Sequence, residues 1–169
     1  MVDKKLGGAG LRGQSAGETR LCTVGQSGSG LTYCGYDISE LAEHSTFEEV
    51  AWLLFNGELP SATELEQYKK QLAGMRALPE ALKDVLERIP AGAHPMDVMR
   101  TGCSMLGNLE GEDDFTQQQA VSDRLLATLP GIITYWYRYS HDGVRIDTAV
   151  DAANIAAHFL TLLHGTDPD

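Results

Sequence analysis

Residues Ala93–Leu106 read AHPMDVMRTGCSML and carry the clearest helix signal in the chain. Pro95 suits the first helical position, where its missing N–H costs nothing, and Asp97 lies where the helix dipole favours a negative charge. His94 stands directly before Pro95, in a natural position to cap the helix. Four residues at helical spacing predict one apolar face: Met96, Met99, Cys103 and Leu106. A packed core helix is the simplest interpretation, and a direct chemical role is the alternative.

Small residues on this helix indicate that another backbone can come close. Gly102 and Ser104 lie on neighbouring faces of the predicted helix. An adjacent acidic segment, Asn108–Asp114, is read as a solvated loop that ends the helix.

The segments before this helix are also predicted to be helical. Ile38–Glu43 forms a short helix, and two capping boxes, Thr46 with Glu49 and Ser61 with Glu64, open the next two helices. A further helix begins at Pro79 and stops at Pro90. The predicted inward positions of these three longer helices are Phe47, Val50, Ala51 and Leu54; Leu65, Tyr68, Leu72 and Met75; and Leu82, Val85, Leu86 and Ile89.

Two helices are predicted after the acidic loop. Thr116 and Gln119 are read as a third capping box, opening a long helix to Ser140 that Pro130 and Gly131 are expected to kink. The second half of this helix contains IITYWY and is apolar on nearly every side, so it needs either a deep core or a subunit interface. The last helix is predicted over Ala149–His164, with Ile155, Phe159 and Leu162 inward and Gly165 as its stop.

The N-terminal region differs from the rest. Residues 1–17 are rich in glycine and lack periodicity, which predicts a flexible arm. Thr19–Val24 and Leu31–Tyr36 flank GQSGSG and predict a β-hairpin. A phosphate loop is disfavoured because no Lys-Ser/Thr pair follows the glycines. The predicted fold class is all-α, with one small N-terminal β-hairpin.

Composition limits the classes of function. The sequence has 169 residues, 43% hydrophobic and 22% charged, which suits one globular domain. A net charge of −11 argues against a nucleic-acid partner but does not oppose a small anionic ligand. No secretory or transmembrane segment is predicted. Cys22, Cys34 and Cys103 are odd in number and far apart, so reduced thiols in a cytoplasmic protein are expected.

The residues alone predict no catalytic constellation. No two histidines stand at the i, i+4 spacing of a helical metal pair, so no metal site is predicted. There is no G-x-S-x-G, and no cysteine lies in a basic, helix-starting context that would lower its pKa. The histidines considered are His44, near the C-terminal end of a short helix, His94, His141 in a turn, His158 and His164.

Several segments together resemble the citrate synthase family. They are GLRGQSAGET (Gly10–Thr19), LTYCGYDISELAE (Leu31–Glu43), FEEVAWLLFNGELP (Phe47–Pro60), HPMDVMRTG (His94–Gly102) and LLATLPGIITYWYRYSHDG (Leu125–Gly143). The second half of the last segment and HPMDVMRTG are most similar to the 2-methylcitrate-forming branch. The resemblance implies an α-helical homodimer whose subunits have a large and a small domain.

The resemblance also implies a reaction. The family condenses acetyl-CoA, or propionyl-CoA in that branch, with oxaloacetate and releases coenzyme A, without a metal. An aspartate and two histidines do the chemistry, in motifs resembling GPKHGGAN and GFGHPVY and in a later segment. None of these motifs occurs here, and they are expected beyond Asp169. Residues 18–169 are therefore predicted to be the N-terminal portion of the large domain, without catalytic residues and inactive alone.

Binding and assembly are the properties that the resemblance carries over. Arg12, in GLRG, matches an arginine that contacts coenzyme A phosphate in some members, and a guanidinium suits that task; a solvated arm residue is the alternative. The helices over 94–107 and 116–140 are expected at the dimer interface, held in place by His94 and Arg100. Cys34 departs from the family, which has arginine there. The alternative function is a non-catalytic helical dimerisation module.

Overall fold

The computed structural model describes residues 17–25 and 30–166. Three short strands open the described chain: β1 (Cys22–Val24), β2 (Leu31–Tyr33) and β3 (Tyr36–Asp37), antiparallel in that order. The predicted hairpin is present, with Cys22 opposite Tyr33. The predicted second strand, Leu31–Tyr36, is divided by a turn, so the sheet has a third strand that the sequence did not predict. Cys34 and Gly35 join β2 to β3 with φ angles of 48° and 92°, the left-handed values that a two-residue hairpin turn needs.

Seven α-helices follow in the described ranges, so the all-α class is confirmed. They are α1 (Ile38–His44), α2 (Phe47–Asn56), α3 (Ala62–Gly74), α4 (Glu80–Leu86), α5 (Pro95–Leu109), α6 (Gln118–Asp142) and α7 (Ile155–His164). None of these helices is long and apolar enough to cross a membrane.

The first two predicted capping boxes are confirmed, at Thr46 and Ser61. The third is wrong. Asp114 caps instead, accepting the Thr116 backbone N–H at 2.7 Å, and Phe115–Gln117 form a 3₁₀ turn before α6. Because the Asp114 cap opens this 3₁₀ turn, the α-helical part begins only after it, at Gln118.

Helix α7 is shorter than predicted. It begins at Ile155 instead of Ala149, because the Asn154 side chain caps it by accepting the Ala157 N–H at 2.8 Å. Residues 149–154 belong to a connection over 143–154. Gly165 ends the helix in the left-handed conformation with φ 76°, as its position predicted.

Helix α6 lies at the centre of the fold and packs against α3, α4, α5 and α7. It continues through Pro130. The main buried cluster joins α4, α5 and α6 and consists of Leu78, Leu82, Leu86, Val98, Leu106, Ile132, Tyr135 and Trp136. A second cluster joins α2, α3 and α6 and contains Ala51, Tyr68, Leu72 and Ala127.

The buried face of α5 is not centred where it was predicted. Val98, Gly102 and Leu106 are buried, whereas Met96 is 68% exposed. Met96 lies about 200° around the helix from Val98, so both cannot face α6. The spacing of apolar residues did not distinguish the face centred on Gly102 from the predicted face that begins at Met96. Packing against α6 buries the face with Gly102.

Candidate functional site

The N-terminus of α5 has the geometry that its sequence predicted. His94 caps the helix because its Nδ1 accepts the Met96 backbone N–H at 3.2 Å. One turn later, the exposed Arg100 guanidinium lies 3.0 Å from the Asp97 carboxylate. This pair supports the helix locally, since ion pairs at i, i+3 contribute only a few tenths of a kcal/mol. Asp97 and Arg100 lie on the side of α5 away from α6.

We call that side the α5 outer face, and its exposed residues are Asp97, Arg100, Thr101, Ser104 and Gly107. Three of the five have small side chains. A surface of this kind lets a second helix approach closely, although it lacks a large apolar anchor apart from the neighbouring Met96.

The opposite side of α5 already uses its small residue within the chain. A Cβ atom on Gly102 would lie 2.4 Å from Cγ2 of Ile132, closer than side chains tolerate. Gly102 therefore lets α6 pack directly against the α5 backbone. The group that comes close at Gly102 is the Ile132 side chain, and not another backbone as the sequence predicted.

The apolar second half of α6 is buried by the chain itself. Trp136 is 3% exposed, and its indole N–H donates to the Ile89 carbonyl at 3.3 Å. The Tyr135 hydroxyl donates to Glu87 at 2.7 Å. Of the two explanations for IITYWY, the deep core is the one observed. The apolar character of this segment thus gives no support to a subunit interface through α6.

A cavity of about 520 Å³ lies between the end of α5 and the start of α6. Its apolar lining is Met75, Cys103, Leu106, Val121 and Leu125. Burial raises the pKa of the Cys103 thiol, so this cysteine stays protonated and is a poor nucleophile at neutral pH. The lining offers no activated group for covalent chemistry.

Arg124 and Glu110 close one side of this cavity. The guanidinium binds both carboxylate oxygens, at 2.6 and 2.8 Å, and this hydrogen bonding lowers the pKa of Glu110. Arg124 also donates to the carbonyls of Met75 and Ala77. Glu110, which the sequence placed in a solvated loop, instead anchors the end of α5. With its donors engaged in this way, Arg124 is not set up to receive an anionic ligand.

A second apolar surface lies on α2, and we call it the α2 groove. It encloses about 220 Å³ and is lined by Phe47, Val50, Ala51, Leu54, Phe55 and Leu126. Phe47 is 53% exposed and Phe55 41%, so the prediction that Phe47 points inward is wrong. Glu48, Ala51 and Leu53 are the buried positions of α2. Clustered exposed aromatic side chains of this kind mark contact surfaces.

Buried carboxylates serve as structural links. Asp123 accepts hydrogen bonds from Tyr68 at 2.8 Å, Gln71 at 3.0 Å and Gln119 at 3.2 Å. Burial, together with the Asp123 carboxylate, raises the pKa of Tyr68, which therefore remains a neutral donor. Glu48 accepts the Ile155 N–H at 2.7 Å and ties α2 to α7. Asp123 and Glu48 therefore join helices and are not free to act as a general base.

Four of the five histidines lie at exposed positions. His44 ends α1 as predicted, and His164 ends α7. His141 belongs to the last turn of α6, not to a separate turn, and its ring stacks on that of Tyr137 with the ring centroids 4.4 Å apart. His94 is the cap described above. Among the described residues, no group of three or more histidine, cysteine, aspartate or glutamate side chains is arranged to hold a metal ion.

His158 differs from the others because its side chain is fully buried. Its Nε2 lies 2.9 Å from the Thr148 carbonyl oxygen, and burial lowers its pKa, so the ring is neutral and donates from Nε2. The sequence pattern predicted no role for His158, although its position on the same helical face as Ile155 and Leu162 indicates that its side chain is buried. Arg12, the predicted coenzyme A contact, lies outside the described residues.

Comparisons with known proteins identify relatives for nearly the whole chain. A family model described as "Citrate synthase, C-terminal domain" matches residues 10–169. The 2-methylcitrate synthase of Shewanella oneidensis is 70% identical over 165 residues, covering 98% of this chain and 44% of the relative. This chain therefore spans less than half the length of that relative.

Solved structures share the fold. The crystal structure of citrate synthase from Thermotoga maritima superimposes with a TM-score of 0.76 at 30% identity, over 95% of this chain and 42% of that one. Citrate synthase from Thermoplasma acidophilum, solved as a ternary complex with carboxymethyl coenzyme A and oxaloacetate, gives 0.84 at 19% identity, over 94% and 42%. With the family model matching almost every residue and the helical fold shared, this chain belongs to the citrate synthase family.

Proposed function

We propose that this chain is the N-terminal portion of the large domain of a 2-methylcitrate synthase. The observation that carries the proposal is the 70% identity to the S. oneidensis 2-methylcitrate synthase over 98% of the chain. The whole protein would condense propionyl-CoA, or acetyl-CoA, with oxaloacetate to give 2-methylcitrate, or citrate, and free coenzyme A. Residues 1–17 would precede this portion as an arm. Free cysteines agree with a cytoplasmic location.

The contribution of this portion is a rigid framework. Its buried acids, Asp123 and Glu48, are engaged in hydrogen bonds between helices, and Arg124 is held by Glu110 and backbone carbonyls. A group that moves protons during catalysis has to reach the substrate and change its protonation state. None of these three is placed for that. The acid–base residues would come from the remainder of the protein, and this chain alone would not turn over.

Arg12 would contact a phosphate of coenzyme A. The support is the match of GLRG to a family segment and the forked, permanently charged donors of the guanidinium. An Arg12→Ala change in an active enzyme should raise KM for the acyl-CoA and leave KM for oxaloacetate near its original value. An unchanged KM for the acyl-CoA would show that Arg12 is only a solvated arm residue.

The protein would form a homodimer, with the α5 outer face at the interface. The small side chains of Thr101, Ser104 and Gly107 would allow two copies of α5 to cross closely about a two-fold axis. Gly107 also lines the cavity between α5 and α6, whereas Ser104 is exposed and does not, so a larger side chain at Ser104 would obstruct a partner without entering the chain's own cavity. Ser104→Trp should therefore lower the dimer mass measured by light scattering while helical content is retained. A dimer that survives this change would refute the placement of the interface.

A fusion enzyme tests the catalytic proposal. Residues 1–169 are joined to the part of the S. oneidensis relative that the alignment leaves uncovered, and release of free thiol is followed with propionyl-CoA and oxaloacetate. We expect turnover by the fusion, none by the isolated chain, and none when oxaloacetate is omitted.

Two results would contradict the proposal. Turnover by the isolated chain would show that it contains the catalytic residues. A soluble, helical fusion without activity would favour the non-catalytic dimerisation module, since the S. oneidensis part supplies whatever catalytic residues this chain lacks.

A further inference from the structure

The buried imidazole of His158 has one hydrogen bond where it could make two. Its side chain is fully buried in α7, and Nε2 is bonded to the Thr148 carbonyl at 2.9 Å. Within the described part of the chain, Nδ1 has no hydrogen-bond partner. Since the neutral ring uses its proton on Nε2, Nδ1 is a bare acceptor, and a second proton there would be a buried donor with nothing to accept it.

The carbonyl that His158 holds belongs to the connection over 143–154. The same connection is fixed at two other points. The Thr148 hydroxyl accepts the Leu78 backbone N–H at 3.1 Å, and the Arg76 guanidinium donates to the carbonyls of Val150, at 3.4 Å, and Ala152, at 3.0 Å. His158 and Arg76 thus both bind carbonyl groups of the connection that leads into α7, so the docking of α7 depends on both.

The charges around His158 do not favour a second positive charge. Arg76 is itself buried, 3% exposed, and opposes protonation of the imidazole. From α2, Glu48 faces the start of α7 but is engaged by the Ile155 N–H. From α6, Arg138 donates to the Leu163 carbonyl. Asp151, in the connection, interacts with Arg76. No carboxylate among the described residues is hydrogen-bonded to the His158 ring.

We propose that His158 is a proton-sensitive latch for α7. When Nδ1 takes up a proton, the ring becomes a buried cation beside Arg76 with an unsatisfied donor, and the state in which α7 and the connection have separated from the domain is favoured. The buried cluster that joins α4, α5 and α6 contains no residue of α7, and among the connection's apolar residues only the half-buried Ile146 packs against it, so the three helices keep their shared buried contacts when α7 leaves. Acidification would therefore open one edge of the domain before it unfolds the whole.

Hydrogen exchange read by mass spectrometry tests the latch, with rates corrected for the intrinsic pH dependence of exchange. We expect the protection of amides in 155–164 to fall by about tenfold for each pH unit below the ordinary histidine value of about 6.5, as long as the docked ring stays neutral. Peptides from α5 should keep their protection over the same range. Equal loss of protection in α5 would overturn the proposal, since it would mean global unfolding.

Two glutamine variants separate His158 from the other histidines. His158→Gln keeps a donor for the Thr148 carbonyl but cannot be charged, so its α7 protection should not depend on pH in this range. His164→Gln makes the same change at the exposed end of the same helix and should behave like the wild type. The same pH dependence in His158→Gln as in the wild type would refute the latch.

A measurement on the wild type keeps the proposal testable if His158→Gln does not fold. The Cε1 proton of each histidine ring is followed by NMR as the pH is lowered. The His158 ring should remain neutral in the docked state below the ordinary histidine value of about 6.5. A His158 midpoint at or above that value would refute the proposal.

Discussion

Gly102 offers the sharpest test of the packing between α5 and α6. In Gly102→Ala the new Cβ would lie 2.4 Å from Cγ2 of Ile132 and 3.3 Å from its Cδ1. Ile132 is fully buried and branched at Cβ, so it cannot turn its methyl group into solvent. Overpacking of this kind costs about 1–3 kcal/mol. Alanine is better than glycine inside a helix by about 1 kcal/mol, which offsets part of that cost.

We therefore expect Gly102→Ala to lower the free energy of unfolding by up to about 2 kcal/mol, which is the overpacking cost less the gain from alanine in a helix. The assay is urea unfolding followed by far-UV circular dichroism. Gly107→Ala is the matched control, because it lies in the same helix and nothing occupies the space around its Cβ position. This control should be stabilised by up to about 1 kcal/mol. If Gly102→Ala is as stable as Gly107→Ala, the close approach of the two helices at this residue is wrong.

Three other changes probe single side chains. Hydrogen bonding from Arg145 lowers the pKa of Glu87, so the Glu87 carboxylate stabilises the fold above the ordinary pKa of 4.5, and this stabilisation is lost as the pH falls through the lowered pKa. Glu87→Gln should remove that part of the acid dependence, measured by urea unfolding at several pH values. Asp123→Ala should cost at least about 2 kcal/mol in the same assay, since the buried Tyr68 hydroxyl loses its acceptor. Cys34→Gly should raise the thermal midpoint, because glycine adopts a φ of 48° without strain; a lower midpoint would show that the thiol contacts matter more.

Local signals predicted the ends of most elements correctly. The capping boxes at Thr46 and Ser61 and the cap at His94 require only residues two or three positions apart, so the sequence contains all that determines them. Such local signals are less reliable where two neighbouring residues could each cap the same helix. Asp114 and Thr116 both precede α6, and the choice between them depended on the 3₁₀ turn that Phe115–Gln117 adopt.

Burial depends on contacts that the sequence pattern does not contain. An apolar segment such as IITYWY looks the same whether α4 and α5 cover it or another subunit does, and Trp136 lies in the chain's own core. A charge at Trp136 would consequently destabilise the fold of the chain itself and would not report on association. In the same way, Met96 and Phe47 fit an apolar periodicity but lie outside, because α6 packs on another face of α5, and α3 and α7 pack on another face of α2.

The candidate site is less predictable from sequence than the fold for a physical reason. Arg12 was identified only through family resemblance, whereas the polar groups that the structure brings together come from distant positions, such as Asp123 with Tyr68 and Gln71, 52 and more residues apart. His158 has an ordinary sequence context, and its unusual environment arises only when Thr148 and Arg76 fold onto it. Pairings of this kind are set by the packing of helices, so local patterns do not reveal them.

The two exposed surfaces of this domain differ in a way that indicates different roles. The α5 outer face is small and polar, which suits a helix that crosses closely and buries little apolar area. The α2 groove exposes Phe47 and Phe55 around an almost wholly apolar lining, and such a surface gains most from permanent cover. Under the proposed function, the larger remaining part of the protein would cover the α2 groove, and a second copy would meet α5. If so, Phe55→Ser should impair the fusion enzyme's stability much more than that of the isolated chain, whereas Ser104→Trp should change dimer mass in both.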